Sequence, residues 1–251
     1  MNSNDGARTP WFACIGRAVF AAAMIFIGIN GLLRHEFNVA WQPVPKWVPV
    51  REVWMYMCAL VPLAAGLGMI WNRTVVAAAR ALGAYALLWL LLVRVPDIFL
   101  RPGIGTAWAF CKIAVLVAAA WSLAGVRGIR IARVLYGLSM ILFGVSHFLY
   151  LDNTAPLVPS WLPWHVAWAY ITGATFIAAG IAMIAGVLAG LAAALSAVQM
   201  GLFTLLVWVP VITSGLAKPS DWSEFIESIV LTACGWAVAD AYRAKADPEF
   251  S

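Results

Sequence analysis

Long apolar stretches, separated by short polar connections, run along almost the whole chain. Each stretch holds about 20 residues, the length that an α-helix needs to cross the hydrocarbon core of a bilayer. The stretches are rich in Ala, Leu and Gly and lack the strict alternation of a half-buried strand. The pattern predicts an all-α integral membrane protein with eight transmembrane helices, over residues 14–33, 53–71, 75–95, 107–125, 131–150, 166–186, 188–209 and 224–242.

The chain also repeats itself with a shift of about 114 residues. Residues 44–49 read V-P-K-W-V-P and residues 158–163 read V-P-S-W-L-P. Four spans in each half is an even number, so both halves enter the membrane in the same orientation. The sequence therefore predicts two tandem parallel four-helix bundles. Their bounds are 14–125 and 131–242, with a tail at 1–13, a linker at 126–130 and a tail at 243–251.

Composition supports this class of protein. Hydrophobic residues make up 64% of the chain and charged residues only 11%, against about 25% charged residues in ordinary soluble domains. This excludes a soluble globular protein, and the long apolar runs argue against a transmembrane β-barrel. The net charge is +5, but the basic residues are spread between the apolar runs and form no patch, so we expect no nucleic-acid partner.

The distribution of charge predicts the orientation. The side that carries both termini holds nine Lys and Arg against four Asp and Glu, and the other side holds seven of each. Because basic residues favour the cytoplasmic side, we expect both termini in the cytoplasm and the protein in the cell membrane, plasma or inner. The lipid bilayer is then the main partner, and a homo-oligomer is left open. The opposite, outer face holds all three histidines and most tryptophans, so it is the candidate functional face.

The two V-P-x-W segments place rigid prolines around a tryptophan, Trp47 or Trp161, in an outer connection. Two symmetric copies predict opposing lips over an outward-facing cavity. Tyr56, Trp168 and Tyr170 follow these segments and complete the candidate cofactor-binding residues. The alternative is that all five aromatic residues only anchor helix ends in the membrane interface, where Trp and Tyr are enriched.

Three motifs of the second half carry a family resemblance. They are G-V-S-H-F at 144–148, preceded by Arg133, A-P-L-V-P-S-W-L-P at 155–163, and W-A-Y-I-T-G at 168–173. With these motifs the chain resembles the DoxX-like membrane proteins. The first half is similar at 44–49, 54–66 and 96–99, but it reads G-I-N-G at 28–31, so the histidine has no counterpart there.

The resemblance implies a four-helix membrane module. Such modules are often linked with quinone-coupled oxidoreductase systems, such as thiosulfate oxidation, and some relatives act as membrane chaperones or cargo receptors. The resemblance therefore bears on the fold more than on the function.

His147 is the first candidate catalytic residue. It lies near the outer end of its predicted span, where a neutral imidazole can exchange a hydrogen bond with a quinone or relay a proton. The alternative is a helix-end histidine that bonds to a neighbouring carbonyl or water.

Arg94 and Asp97 are two more candidate catalytic residues, at the outer end of the third span. Pro96 is expected to break the helix between them, and the second half reads W-V-P-V at the equivalent residues 208–211. Ionisable residues close to the hydrocarbon suggest function. The alternative is that Arg94 extends to the surface and pairs locally with Asp97.

Lys112 and Glu227 occupy equivalent positions of the fourth and eighth spans but carry opposite charge. An ion pair across the axis between the halves would neutralise both in a medium of low dielectric constant. The alternative is that each side chain extends separately to the outer surface.

These features together favour a membrane component of a quinone-coupled or sulfur-metabolising redox system that binds a lipophilic molecule. The chain shows no metal-ligand spacing and no phosphate loop. The sequence itself leaves the cofactor unassigned, and the resemblance implies a quinone and a soluble or membrane redox partner. The alternative is a non-enzymatic scaffold or chaperone for a partner's helix or a lipid. A third alternative, a small-molecule transporter, is less favoured because no span carries a mid-membrane Gly or Pro break in both halves.

Overall fold

The computed structural model describes residues 15–37, 41–42, 44–45, 48–125 and 129–246, with side chains up to residue 242. Within these residues all regular structure is helical. The eight long helices are α1 (Ile15–Arg34), α2 (Arg51–Gly68), α3 (Val75–Leu100), α4 (Ile104–Leu123), α5 (Ile129–Leu149), α6 (His165–Ala185), α7 (Ala189–Thr213) and α8 (Pro219–Ala246). A short helix (Leu151–Thr154) and a 3-10 turn (Ala155–Leu157) follow α5.

Seven of these helices, all but α2, are long and apolar enough to cross a membrane. The described chain thus has the helices of a multi-pass membrane protein. Helix α2 has 18 residues, or roughly 27 Å at 1.5 Å per residue, and Arg51 and Glu52 at its start lower its mean hydropathy. An eighth span at α2 stays a prediction.

The helices form two groups of three, α1–α3 and α5–α7, on either side of a central pair, α4 and α8. Each long helix packs against the next one along the chain, and α1 also packs against α8. Helices α4 and α8 contact each other as well, and they are buried on nearly all sides. Every residue from 113 to 120 of α4 is buried, as are Val230, Ala233 and Cys234 of α8. These two helices therefore form the core around which the other six lie.

Close backbone contacts join α1 to α2 and α5 to α6. A Cβ atom on Gly144 of α5 would lie 2.5 Å from the carbonyl oxygen of Gly173 on α6. A Cβ atom on Gly28 of α1 would lie 2.8 Å from the carbonyl oxygen of Ala59 on α2. Larger side chains would push these helices apart, and such contacts between small residues are a common means of packing membrane helices.

The prediction that Pro96 breaks the third helix is wrong. Helix α3 continues to Leu100 because a π-helical turn over Leu90–Arg94 precedes the proline, and the N–H of Val95 bonds to the carbonyl of Leu90. This wider turn lets the helix continue although Pro96 has no N–H to donate. Helix α7 has the same device, with a π-helical turn over Thr204–Trp208 ahead of Pro210.

Helix α8 caps the first turn of α1. The backbone N–H of Gly16 donates to the Asp240 carboxylate at 2.5 Å, and Asp240 is buried. A carboxylate there satisfies a free N–H group and interacts favourably with the helix dipole. A side chain on Gly16 would collide with Asp240 and with the carbonyl of Trp236. This contact fixes α1 against α8 at the end of the bundle that carries the termini.

Gln42, in the connection between α1 and α2, has its side chain buried inside the protein. Pro62 cannot donate to the carbonyl of Cys58 one turn earlier in α2. The Gln42 side chain, which is buried, donates to that carbonyl instead at 2.6 Å. In the second half Gln199 donates to the equivalent carbonyl, that of Thr172, at 3.0 Å, although no proline follows there. Only the first of these two bonds replaces a missing backbone donor.

We predict that Gln42→Leu lowers the free energy of unfolding by about 1–3 kcal/mol, because it leaves a buried carbonyl without a donor. Adding Pro62→Ala restores a backbone N–H for Cys58 and should recover much of this loss. The measurement is denaturation of the detergent-purified protein. Gln199→Leu is the matched control, because Thr172 keeps its backbone donor and Pro62→Ala should give no rescue. Equal losses at the two glutamines with no rescue would contradict this account.

Candidate functional site

Six charged residues meet where α3, α4 and α8 come together, toward the end of the bundle opposite the termini. Three are basic and three are acidic, so the group has no net formal charge. We call it the central ionic cluster, and its members are Arg94, Asp97, Arg101, Lys112, Glu224 and Glu227.

Lys112 and Glu227 form the buried middle of the cluster. Their side chains make a salt bridge that joins α4 to α8, and both are buried. Lys112 Nζ also lies 3.9 Å from Glu224 Oε1 and 4.3 Å from the centre of the Trp108 ring. Lys112 is the eighth residue after Ile104, roughly 12 Å from the start of α4, so the pair lies well inside the bundle.

Arg94 and Asp97 form the part of the cluster that α3 contributes. Arg94 Nη1 lies 3.8 Å from Asp97 Oδ2, and Arg101 Nη2 lies 2.5 Å from Asp97 Oδ1. Arg94 and Asp97 are mostly buried, whereas the side chain of Arg101 is 72% exposed. Arg94 also interacts electrostatically with Glu227. Positive and negative groups thus alternate from Arg101 at the surface through the interior to Glu224.

His147 lies in the last turn of α5, beside the interior of α6. A Cβ atom on Gly173, the eighth residue after His165, would approach the Cβ of His147 at 2.9 Å. The imidazole packs against Phe176 of α6 and Phe203 of α7, with ring centroids 5.6 and 6.0 Å away, and the two phenyl rings lie 6.1 Å from each other. We call these three rings the histidine site.

The hydrogen bond of His147 defines its tautomer. Nδ1 lies 2.8 Å from the carbonyl oxygen of Phe143, and a carbonyl can only accept, so Nδ1 carries the proton. Nε2 of the neutral ring is then an acceptor, and within the described residues no group donates to it. The site can therefore accept a hydrogen bond, or a proton, from a hydroxyl group.

The predicted aromatic residues lie at the periphery. The side chains of Trp161, Trp168, Tyr56 and Tyr170 are all exposed, Trp161 to 68%, as expected of residues that face a membrane interface. Trp47 lies outside the described residues. A concave surface that encloses a volume of ≈ 660 Å³ lies beside the second V-P-x-W segment, residues 158–163. It is lined by Leu162, Pro163, Trp164, His165, Val166, Ala167 and Tyr170.

The structure thus brings four predicted residues together, Arg94 and Asp97 with Lys112 and Glu227. Within the described residues no contact joins this group to His147, and Tyr170 alone of the aromatic candidates contacts a neighbour of His147, the Phe148 ring.

Sequence analysis did not single out four residues of the two sites. Arg101 is four residues after Asp97 and Glu224 is three before Glu227, so helical spacing was a usable signal for both. Phe176 and Phe203 are typical apolar residues of their helices. Only the packing of α5, α6 and α7 reveals their role.

Comparisons with protein-family models, with curated proteins and with solved structures find no match to this chain.

We predict that Lys112→Met destabilises the protein by about 3–5 kcal/mol, because it leaves the Glu227 carboxylate buried without its main cation. The double variant Lys112→Met/Glu227→Met should be more stable than either single variant, since no uncompensated charge remains. Thermal denaturation in detergent measures both effects. As a control, Arg101→Ala should cost less than about 1 kcal/mol, because exposed ion pairs contribute little. Simple addition of the two single losses would exclude a direct interaction.

Proposed function

We propose that this multi-pass membrane protein binds the headgroup of a lipophilic quinone-type molecule at the histidine site, in its hydroxyl-bearing quinol form. The orientation of the imidazole carries the proposal. Because Nδ1 of His147 donates to the backbone, Nε2 is an acceptor, and a quinol hydroxyl is a donor. The partly exposed ring of Phe203 provides a flat apolar surface against which an aromatic headgroup packs, and the buried ring of Phe176 supports it from behind.

In this proposal His147 accepts the proton, and a redox partner accepts the electrons. When a quinol is oxidised, its hydroxyl groups release protons, and a neutral imidazole is a suitable acceptor near neutral pH. Imidazole does not accept the electrons, so these pass to a soluble or membrane redox partner. The protein is then an accessory, quinone-binding subunit of a redox or sulfur-metabolising system, as its resemblance to the DoxX-like proteins implies.

The architecture that we propose is eight spans arranged as two tandem repeats, 14–125 and 131–242. Three pairs of features support it, two at a sequence shift of 114 residues and the third, in the first helix of each half, at a shift of 116. The π-helical turns begin at Leu90 and Thr204, the glutamine side chains bond to the carbonyls of Cys58 and Thr172, and close helix contacts occur at Gly28 and Gly144. The packing of α1 on α8 and of α5 on α4 follows the same two-fold pattern.

We place both termini in the cytoplasm and the protein in the cell membrane, because basic residues are in excess over acidic residues only on the side of the termini. In this orientation the central ionic cluster, the histidine site and the exposed side chains of Trp161 and Trp168 all lie toward the outer side.

A second function is favoured by the surface at the start of α6. Trp161 and Trp164 are 68% and 80% exposed, and Trp164 borders the concave surface described above. Large exposed apolar patches mark interaction sites. The protein would then be a scaffold or chaperone that holds a partner's transmembrane helix or a lipid there.

The span at α2 is testable by labelling single cysteines in a cysteine-free background. We expect Cys at Val50 to react from the outer side and Cys at Trp71 from the cytoplasmic side, because the two positions flank α2 and are exposed. Leu216 and Leu188, which flank α7, are the matched controls for the two sides. Labelling of positions 50 and 71 from the same side would exclude α2 as a span.

Binding of a short-chain benzoquinol and of the matching benzoquinone tests the histidine site. We expect the purified protein to bind the quinol more tightly, and His147→Ala to weaken quinol binding about tenfold, the effect of one hydrogen bond of about 1.4 kcal/mol. Titration calorimetry measures both affinities. His165→Ala, on the concave surface at the start of α6, is the control and should leave quinol binding unchanged.

The same preparation separates the two candidate functions. Solvent extraction and mass spectrometry should find a quinone in the wild-type protein and none in His147→Ala. A stoichiometric protein partner with no bound quinone, and equal binding by His147→Ala, would reject the histidine site and favour the scaffold.

A further inference from the structure

Lys112 lies between two carboxylates that are one helical turn apart on α8. It makes a salt bridge with Glu227, whose side chain is 8% exposed, and its Nζ lies 3.9 Å from Glu224, whose side chain is 39% exposed. One ammonium group thus has an inner partner in the protein interior and an outer partner in contact with solvent. A long, flexible lysine side chain can move between two acceptors at this separation.

We propose that Glu227 is a reversible proton-binding site that is reached from the outer aqueous face through Glu224, and that Lys112 passes from Glu227 to Glu224 when the proton binds. The ligand is a proton from water. An O–H bond forms on a carboxylate oxygen of Glu227, Lys112 stays an ammonium ion, and the net charge of the central ionic cluster rises from zero to plus one. No electrons move. The site does not depend on the histidine site.

The groups around Glu227 explain why it, and not Asp97, exchanges the proton. Asp97 contacts two guanidinium groups, those of Arg94 and Arg101, so if one of them moved away the other would still compensate the charge of the carboxylate. Glu227 makes its salt bridge with a single lysine, and that lysine has a second carboxylate, Glu224, within reach. A buried carboxylate is held in its charged form mainly by its cation, so moving Lys112 to Glu224 permits protonation.

The other helices that pack near Glu227 add few charges. Arg94, backed by Asp97, interacts with it from α3, and Lys112 approaches from α4. Helix α7 contributes the uncharged Thr204, whose hydroxyl is hydrogen-bonded at 2.6 Å to that of Ser228 on α8. From α1, Arg34 lies over the Trp222 ring, beyond Glu224 toward the start of α8. The position of Lys112, beside Glu227 or beside Glu224, therefore decides whether the charge of the Glu227 carboxylate is compensated.

Infrared difference spectroscopy of the full-length protein in liposomes tests the proposal. Between about pH 9 and about pH 6, exposed carboxyl groups stay ionised, so the stretching band of a protonated carboxyl group should arise from a buried one. We expect this band in the wild-type protein and in Asp97→Asn, the matched control, and no band in Glu227→Gln. In Glu224→Gln the band should appear only at lower pH and form more slowly after a rapid pH jump, because Lys112 loses its second carboxylate and the outer relay is lost.

Lys112→Gln provides an independent readout that keeps Glu227. Without its cation the buried carboxyl group should be protonated already at the alkaline end of the range, so the band should be present there and change little on acidification. A band that persists in Glu227→Gln, a band lost in Asp97→Asn, or a wild-type protein with no band would each overturn the proposal.

Discussion

The salt bridge between Lys112 and Glu227 is the constraint on which the arrangement of the helices depends. An uncompensated charge inside an apolar bundle is costly, and two charges are tolerated there only when they meet with good geometry. Both residues lie on helices that are buried on nearly all sides, so α4 and α8 must lie together with the two side chains at one level. With this pair in the centre, α1 packs on α8 and α5 on α4, and the remaining helices complete the group of three on each side.

The two halves of the chain share their backbone devices but differ in their chemistry. Both have a π-helical turn before a Val-Pro pair. In α3 this turn ends at Arg94, and in α7 it ends at Trp208. Conversely, the position of His147 in α5 corresponds to Gly31 in α1. At these two positions one half carries a polar group where the other is small or apolar, so neither the α3 part of the central ionic cluster nor the histidine site has a counterpart in the other half.

The sequence was most informative where a feature is local or repeated. Apolar stretches predicted the helices to within a few residues at most ends, and the repeat register predicted that Lys112 and Glu227 are equivalent. The histidine site was out of reach, because Phe176 and Phe203 converge on His147 only through the packing of three helices. Trp161 and Trp168 have strong sequence signals but lie exposed at the periphery, since interfacial anchoring and ligand binding select the same aromatic residues.

The prolines show why the effect of such residues is hard to predict from sequence. Every backbone carbonyl inside a membrane needs a donor, so a proline that removes one requires a replacement. At Pro62 the replacement is a side chain, Gln42, from another segment. At Pro96 it is a change of helical pitch, with the N–H of Val95 bonded to Leu90. The second solution keeps α3 continuous past Asp97, so Arg94 and Asp97 stay on one helix and both contribute to the cluster. A broken helix would have separated them, and the same residue type thus has opposite consequences depending on where the missing hydrogen bond is replaced.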